Sequence, residues 1–287
     1  MKTNAIVRIV LFSLTIVVLI GLLLSAMGLV INRRNTNEIF TSEAIGTDIQ
    51  GPTVELDASG IRKLNIEWAA GDIIIEAKEG IDQIQFSESA AEDSKYPMHY
   101  KTSGSKLTIS FSKDSITGFG ININSSLTKD LTVYVPQDWV CEELQLEVAA
   151  ANVDVRNMTI DAINFDGASG TCNFVSCIVN DLDIDTASGD VTFVGELNSL
   201  DFDAASASFS GVLSNSPREI EMDGMSGDLD LTLPQDCGFT VSMDGMSSDF
   251  HSDYPTTYSN GNQVYGDGRC RISVDGMSCD VYIRQAS

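Results

Sequence analysis

Apolar and polar residues alternate along most of this chain, from Val54 to the C-terminus. The alternation comes in short runs broken by Gly, Asn, Asp and Ser, as in Leu64-Asn-Ile-Glu67 and Leu131-Thr-Val-Tyr-Val135. Period-two alternation bounded by turn-forming residues is typical of β-strands. Because no stretch after residue 54 shows a helical period, the sequence predicts an all-β domain over residues 54–287.

Within this region one short motif returns about every twenty residues, a spacing typical of repeat architectures. Its clearest copies are Asp223-Gly-Met-Ser-Gly-Asp228, Asp244-Gly-Met-Ser-Ser-Asp249 and Asp275-Gly-Met-Ser-Cys-Asp280. With five looser copies, the fourth place of the motif falls at residues 70, 150, 169, 188, 206, 226, 247 and 278. Counted from that place, positions −6, −4 and +3 are apolar in all eight copies, and +5 is apolar in six.

This column pattern predicts the shape of each repeat. Positions −6 and −4 lie on one face of a strand, and +3 and +5 lie on one face of another. The odd step from −4 to +3 changes the phase, which indicates a tight corner or bulge between two strands. Stacked copies then predict a β-solenoid on the order of 40 Å long, with an elongated two-sheet sandwich as the alternative. Phe165, Ile184 and Phe202, all at −4, are expected to stack in adjacent coils of the core.

The regular spacing fails in two places. The copies at 70 and 150 are 80 residues apart, and those at 247 and 278 are 31 apart. The surplus in the second case, residues 251–268, contains Tyr254, Tyr258 and Tyr265. One interpretation is a binding loop whose tyrosines contact a protein or glycan partner. The other is a cap whose rings fold back over the end of the solenoid.

Residues 9–31 form an uncharged apolar run of 23 residues, long enough to cross a hydrocarbon core of about 30 Å. The run exceeds the usual core of a signal peptide, so the sequence favours an uncleaved transmembrane anchor over a cleaved signal. Residues 1–8 form a short flank, and the polar residues 32–53 predict a linker to the domain. Basic residues nearly balance across the run, so the positive-inside rule gives little guidance on orientation.

The chain is strongly acidic, with a formal net charge of −24, and its first 34 residues contain no acidic side chain. Such a body repels nucleic acid and anionic lipid, so nucleic-acid binding is excluded as a function. An acidic, lysine-poor β-domain behind a flexible linker suits an extracytoplasmic position. We therefore predict a single-pass protein of the cell membrane with its domain outside.

Three features together resemble the bacterial putative-adhesin family, a β-strand-repeat domain of unknown function. They are the Ser-Gly-Asp corners at 188–190 and 226–228, the strand Leu131-Thr-Val-Tyr-Val-Pro136, and the N-terminal anchor. The resemblance covers roughly residues 54–284. It implies a cell-surface or membrane-anchored protein, in some members associated with envelope-stress operons, and it carries over no catalytic residues. The methionines of the last three motifs depart from the family pattern.

From this resemblance we expect a non-catalytic, adhesin-like binding or scaffold domain. The alternative is an accessory protein of an envelope-stress or signalling system that acts through a protein partner. A carbohydrate-active β-helix enzyme is less favoured. Such an enzyme needs two carboxyl groups in different environments, whereas the carboxylates here recur in every copy.

The acidic residues at −3 and +2 would form two ladders along the stack. The favoured interpretation is that each Asp caps its own corner by accepting backbone N–H bonds. Bound Ca²⁺, which would relieve the repulsion between stacked carboxylates, is the alternative, and no other cofactor is predicted. The calcium candidates are Asp223, Asp228, Asp244, Asp249, Asp275 and Asp280.

The remaining reactive or large residue types are expected to be structural. Met225, Met246 and Met277 are predicted to form a core column rather than a thioether metal site. The six cysteines lack metal-site spacing and are expected to be buried on strands, with one or two disulfides left open. The Gly-Met-Ser-Gly stretch fails the pattern of a serine nucleophile elbow because Asp228 replaces its last glycine. Single residues with an expected loop role are His99 and His251, and those with a packing role are Trp68 and Trp139.

Overall fold

The computed structural model describes residues 53–89, 96–112 and 128–286. Within these ranges the chain forms nineteen strands and no helix, which confirms the all-β prediction. The predicted anchor, residues 9–31, and the linker up to residue 52 lie outside the described residues. In the described part, no helix exists that is long and apolar enough to span a membrane.

Parallel strands stack into a β-solenoid, the first of the two predicted architectures. In each coil the residues before the corner join a first sheet, and those after it join a second sheet. The coil strands are β2 (Lys63–Lys78), β5 (Lys106–Ser110), β6 (Leu131–Pro136), β7 (Cys141–Arg156), β8 (Thr159–Ser169), β9 (Cys172–Ser188), β10 (Val191–Ser206), β11 (Phe209–Leu213), β12 (Glu219–Ser226), β13 (Leu229–Leu233), β14 (Phe239–Gly245), β15 (Phe250–Ser252), β18 (Cys270–Ser278) and β19 (Val281–Gln285). The strands outside the coils are β1 (Val54–Asp57), β3 (Gln83–Glu88), β4 (His99–Ser103), β16 (Thr257–Ser259) and β17 (Asn262–Tyr265).

The core lies between the two sheets and is filled by the apolar columns of the repeat. Phe165 pairs in register with Ile184, which pairs with Phe202. All three side chains are buried, which confirms the predicted core stack. Burial of this kind stabilises each coil only through its neighbours, because a single coil cannot cover its own apolar face.

The corners explain the change of phase in the sequence. Gly189 has a φ of +114°, and a Cβ added there would lie 1.8 Å from the carbonyl oxygen of Gly170 in the neighbouring coil. Gly227, with a φ of +146°, meets the carbonyl oxygen of Ala207 at the same 1.8 Å. Backbone therefore packs on backbone at these corners, and only glycine combines that contact with a positive φ.

Coil order along the stack differs from chain order at the N-terminal end. Residues 63–76 of β2 pair with residues 143–156 of β7 at a constant offset of 80, so the two distant motif copies are direct neighbours. The opposite edge of β2 pairs with β5 and β6. These two strands form a further coil, in which Leu107, Ile109 and Leu131 occupy the same apolar columns as β2.

The C-terminal end has the same arrangement. β18 and β19, the last strands of the chain, lie between β12–β13 and β14–β15. The motif copies therefore stack in chain order except at this end, where the copy at 278 lies between those at 226 and 247. When the outermost coil is not the last in sequence, the segments beside it remain free to cover its edge.

Antiparallel strands provide that cover. β4 pairs with β5, β3 with β6, and β1 with β3 at one end. At the other end β17 pairs with β14, and β16 pairs with β17. These strands cover the outer edges of β5, β6 and β14, which hinders the addition of strands from a second chain there.

Candidate binding surface

The outer face of the first sheet carries an unbroken ladder of carboxylates at motif position −3. Neighbouring members are in register in every coil from β2 to β14. The eight members, in stack order, are Glu67, Glu147, Asp166, Asp185, Asp203, Asp223, Asp275 and Asp244. In-register stacking spaces successive Cα atoms by about 4.8 Å. We call this row the acidic ladder.

A second group of carboxylates flanks the middle of the acidic ladder. Asp183, Asp201 and Glu221 lie two residues earlier on the same outer face and are also in register. Partial burial, reinforced by neighbouring carboxylates, raises the pKa of Asp203 to about 7. The same causes raise the pKa of Asp185 and of Asp201. In the middle of the ladder, the folded structure therefore disfavours the ionised form of these carboxyl groups.

The N-terminal end of the ladder is better compensated. Asn65 Nδ2 donates to Glu67 Oε1 at 3.2 Å, and Ser110 Oγ donates to Glu67 Oε2 at 3.0 Å. Burial and nearby carboxylates raise the pKa of Glu147, but Lys106 acts in the opposite direction. Side-chain donors thus support the carboxylates of the first coils.

The three methionines also lie on this outer face, so the prediction of a core column is wrong. Met225, Met277 and Met246 are 42%, 48% and 80% exposed. Position −1 has the same parity as the outward −3 position, and earlier coils place alanine there. The C-terminal coils thus present flexible apolar side chains next to the acidic ladder; we call these three residues the methionine column.

At position +2 the side chains cap the neighbouring coil and not their own corner, which corrects the predicted capping. Asp249 N–H donates to Asp280 Oδ1 at 2.9 Å, and Asp228 N–H donates to Ser208 Oγ at 3.1 Å. Asn152 Oδ1 accepts from Thr171 N–H at 3.2 Å in the same way. The +2 column therefore joins successive coils by side-chain to backbone hydrogen bonds.

The calcium candidates divide between these two columns. Asp223, Asp244 and Asp275 belong to the acidic ladder, and Asp228, Asp249 and Asp280 belong to the +2 column. Over residues 53–89, 96–112 and 128–286, no group of three or more His, Cys, Asp or Glu side chains is arranged to hold a metal ion. Calcium binding stays a prediction.

The tyrosine-bearing insert follows the end of the stack instead of leaving it as a loop. Tyr254 is buried, and its hydroxyl donates to the carbonyl oxygens of Leu233 at 2.8 Å and Pro234 at 3.0 Å. The rings of Tyr254 and Tyr265 both pack on Phe239, with centroids 5.3 and 5.5 Å away. Tyr258, on β16, is 73% exposed. Of the three predicted binding residues, Tyr254 is buried, Tyr265 is half-buried, and Tyr258 is largely exposed.

A shallow groove of about 540 Å³ lies where the second sheet turns back into the first. Its floor includes the exposed side chains of Val140 and Ile178. On its rim, Asn198 Nδ2 donates to Asn180 Oδ1 at 2.9 Å, linking adjacent turns. These rim amides are already used between coils, so the groove has weaker recognition chemistry than the acidic face.

The remaining singled-out residues are structural. Trp68 and Trp139 are buried, and each indole N–H donates to a backbone carbonyl at 2.8 Å, which confirms their packing role. His99 lies on β4, and His251 lies on β15 with its ring stacked 4.9 Å from Tyr282. The loop role expected for both histidines is therefore wrong.

The fold and the acidic face define the class of protein. It is an all-β repeat protein with carboxylate side chains that recur along the outer face of one sheet. The chain belongs to the Toastrack DUF4097 family, a domain of unknown function, whose profile matches residues 61–284. This confirms the resemblance drawn from the corners and strands.

Solved structures with a similar chain course come from several bacteria. A putative adhesin from Bacteroides fragilis is 13% identical, with a TM-score of 0.44 over 80% of this chain and 96% of its own. A putative cell adhesion protein from Clostridium sporogenes is 12% identical, with a TM-score of 0.36 over 82% and 98%. A putative lipid binding protein from Parabacteroides distasonis is 14% identical, with a TM-score of 0.37 over 80% and 96%. No curated protein sequence is similar enough to match this chain.

Proposed function

We propose that the chain is a membrane-anchored, non-catalytic binding or scaffold domain of the cell surface, and that the acidic face of the first sheet is its contact surface. The acidic ladder is the observation that carries this proposal. Eight carboxylates held in register repel one another, and the pKa of Asp203 is raised first by burial and then by these neighbouring carboxylates. A partner that brings positive charge would lower the cost, and so would gain affinity from it.

The partner that best fits this surface is a protein segment rich in lysine or arginine. The methionine column lies beside the ladder, and flexible thioether side chains adapt to varied apolar partners. A glycan offers fewer apolar groups to such a column, so a protein is favoured over the glycan alternative. An accessory role in an envelope-stress or signalling system would use the same surface.

The ladder suits binding better than acid–base catalysis. Catalysis by two carboxyl groups requires their pKa values to be pushed apart. Here the pKa values of the neighbouring groups Asp166, Asp185, Asp201 and Asp203 are all raised together.

Membrane attachment completes the proposal. The apolar run at 9–31 would hold the chain in the membrane, and the polar linker 32–53 would separate the domain from it. An acidic body is repelled by anionic lipid, which favours a domain facing away from the bilayer. Protease treatment of intact cells checks this part: the domain should be cleaved without lysis, and protection until lysis would contradict it.

Binding is best tested with the full-length chain in detergent micelles and two synthetic peptides, one lysine-rich and one glutamate-rich. The ladder variant Asp185→Asn/Asp203→Asn/Asp223→Asn should bind the lysine-rich peptide about tenfold more weakly at 0.15 M salt. The matched control Glu79→Gln/Asp138→Asn/Glu142→Gln removes the same formal charge from exposed positions outside the ladder, two in turns and one at the start of β7. It should change binding about twofold or less, as measured by biolayer interferometry. Equal losses in both variants would show attraction to net charge alone and would reject the ladder as the contact surface.

A further inference from the structure

Two of the six cysteines meet inside the C-terminal end of the solenoid. Cys237 lies in the turn between β13 and β14, and Cys270 begins β18. The amide of Cys270 donates to the carbonyl oxygen of Gly238 at 3.0 Å, so the two backbones are adjacent. Both side chains are fully buried, and their thiols are hydrogen-bonded to each other.

This pair differs electrostatically from the other four cysteines. Burial raises the pKa of Cys141 to about 12 and also raises that of Cys172, Cys177 and Cys279. In contrast, the hydrogen bond from the Cys270 thiol lowers the pKa of Cys237 to about 7. The same bond, with burial, raises the pKa of Cys270. Of the two sulfurs, that of Cys237 therefore loses its proton more readily, with the Cys270 thiol as its hydrogen-bond donor, and thiol–disulfide exchange uses such an asymmetry.

We propose that Cys237 and Cys270 are an oxidisable pair whose disulfide fastens the C-terminal end of the solenoid. The bond would join the coil β18–β19 to the outermost coil β14–β15, its neighbour in the stack, from which only the insert with β16 and β17 separates it in sequence. The closed loop would contain β14 to β17, which is the outermost coil together with its antiparallel cover.

The chemistry requires a disulfide as oxidant, either a small one such as oxidised glutathione or the active-site disulfide of an oxidoreductase. The Cys237 thiolate attacks one sulfur of the oxidant, which forms a mixed disulfide and releases one thiolate. Cys270 then loses its proton to solvent and attacks the Cys237 sulfur, which releases the second thiolate. Two protein thiols are oxidised, and one oxidant disulfide is reduced to two thiols after protonation.

Access to the pair depends on the aromatic cap. Tyr254 and Tyr265 pack on Phe239, two residues from Cys237. The oxidant therefore reaches the sulfurs when this end opens or while the chain folds. Once formed, the disulfide would restrict that same opening, because it closes the loop that contains the cap.

The test uses the full-length chain in detergent micelles, cycled through its thermal transition with oxidised or reduced glutathione. Non-reducing digestion with trypsin, which cuts at Arg269 and Arg271, should yield a linked peptide from Cys237 and Cys270 by mass spectrometry. The oxidised chain should melt about 5–10 °C higher than the reduced one, and dithiothreitol should remove the shift. Cys237→Ala and Cys270→Ala should abolish the shift, whereas the control Cys172→Ala should retain it.

The linked peptide is measured on the unaltered chain, so the test does not depend on the variants folding. If both thiols of the oxidised sample still react with iodoacetamide after denaturation, the proposal is rejected. An internal Cys172–Cys177 disulfide within one tryptic peptide, in place of the expected linked peptide, would also overturn it.

Discussion

The outermost coil at each end of the solenoid has to be covered, and the two ends are covered by different kinds of side chain. At the N-terminal end, Lys129 and Glu88 form an almost fully buried ion pair. Lys129 Nζ also donates to the carbonyl oxygen of Tyr96 at 2.8 Å and lies 4.3 Å from the centre of the Phe111 ring. At the C-terminal end, the corresponding region is filled by Tyr254, Tyr265 and Phe239.

The comparison shows where each end is vulnerable. Desolvation lowers the pKa of Lys129, and Glu88 opposes that effect by hydrogen bonding and charge. A buried ion pair is costly to build and costlier to break, because removal of one partner leaves an uncompensated charge. A substitution in an aromatic cap removes only one contact or hydrogen bond, so each costs less stability. We therefore expect one substitution in the ion pair to destabilise the N-terminal end strongly. Each substitution in the aromatic cap should destabilise the C-terminal end by a smaller amount.

The largest expected effect is that of Lys129→Met, which leaves Glu88 buried without its cation. We expect the free energy of unfolding to fall by about 3–5 kcal/mol. Urea denaturation followed by circular dichroism measures the change. The double variant Lys129→Met/Glu88→Met removes both charges and should recover most of the loss. A single variant that unfolds at the same urea concentration as the parent would show that the pair does not stabilise this end.

A smaller effect is expected for Tyr254→Phe at the other end. The hydroxyl bonds to the carbonyls of Leu233 and Pro234 would be lost, but each carbonyl keeps a backbone N–H donor, from Ala286 and Cys237 respectively. The expected cost is about 1 kcal/mol, or about 2–4 °C in melting temperature.

Tyr258→Phe is the matched control for Tyr254→Phe, since Tyr258 lies on the same insert with an exposed ring. Its melting temperature should equal that of the parent. Equal shifts in the two variants would contradict the assignment of Tyr254 as part of the cap.

The sequence predicted the fold class and the core because both follow from local periodicity. Phe165, Ile184 and Phe202 stack as the columns require. The order of the coils could not be read in this way, because β2 and β7 pair across 80 residues and nothing local specifies that contact. The coil formed by β5 and β6 was not predicted, because residues 111–130 separate these two strands in sequence.

The candidate surface was predicted in part. The acidic column at −3 is visible as a repeat, but the ion pair of Lys129 and Glu88 leaves no periodic signal. The outward direction of Met225 could have been recognised, because −1 shares its parity with the polar −3 position. The pairing of Cys237 with Cys270 depends on a coil order that the sequence does not specify.

The smallest expected effect concerns the pH dependence of stability. It is the difference between Glu147, a better compensated carboxylate near the N-terminal end of the ladder, and Asp203, a crowded one in its middle. Asp203 has a folded pKa of about 7, raised from an ordinary value of 3.8. Between these values the folded chain binds the proton that the unfolded chain has released. The free energy of unfolding should therefore decrease as pH rises from about 4 to 7, and Asp203 should contribute nothing further above that range.

Asp203→Asn should flatten this dependence, so that the variant gains stability over the parent at pH 7.5 but not at pH 4.5. Because the side chain is only half-buried, solvent screening limits the gain to about 1 kcal/mol or less. Glu147→Gln is the comparison variant, since the pKa of Glu147 is raised but opposed by Lys106. Melting temperatures at both pH values should show a smaller change for Glu147→Gln than for Asp203→Asn. An equal or larger change for Glu147→Gln would mean that carboxylate crowding does not increase toward the middle of the ladder.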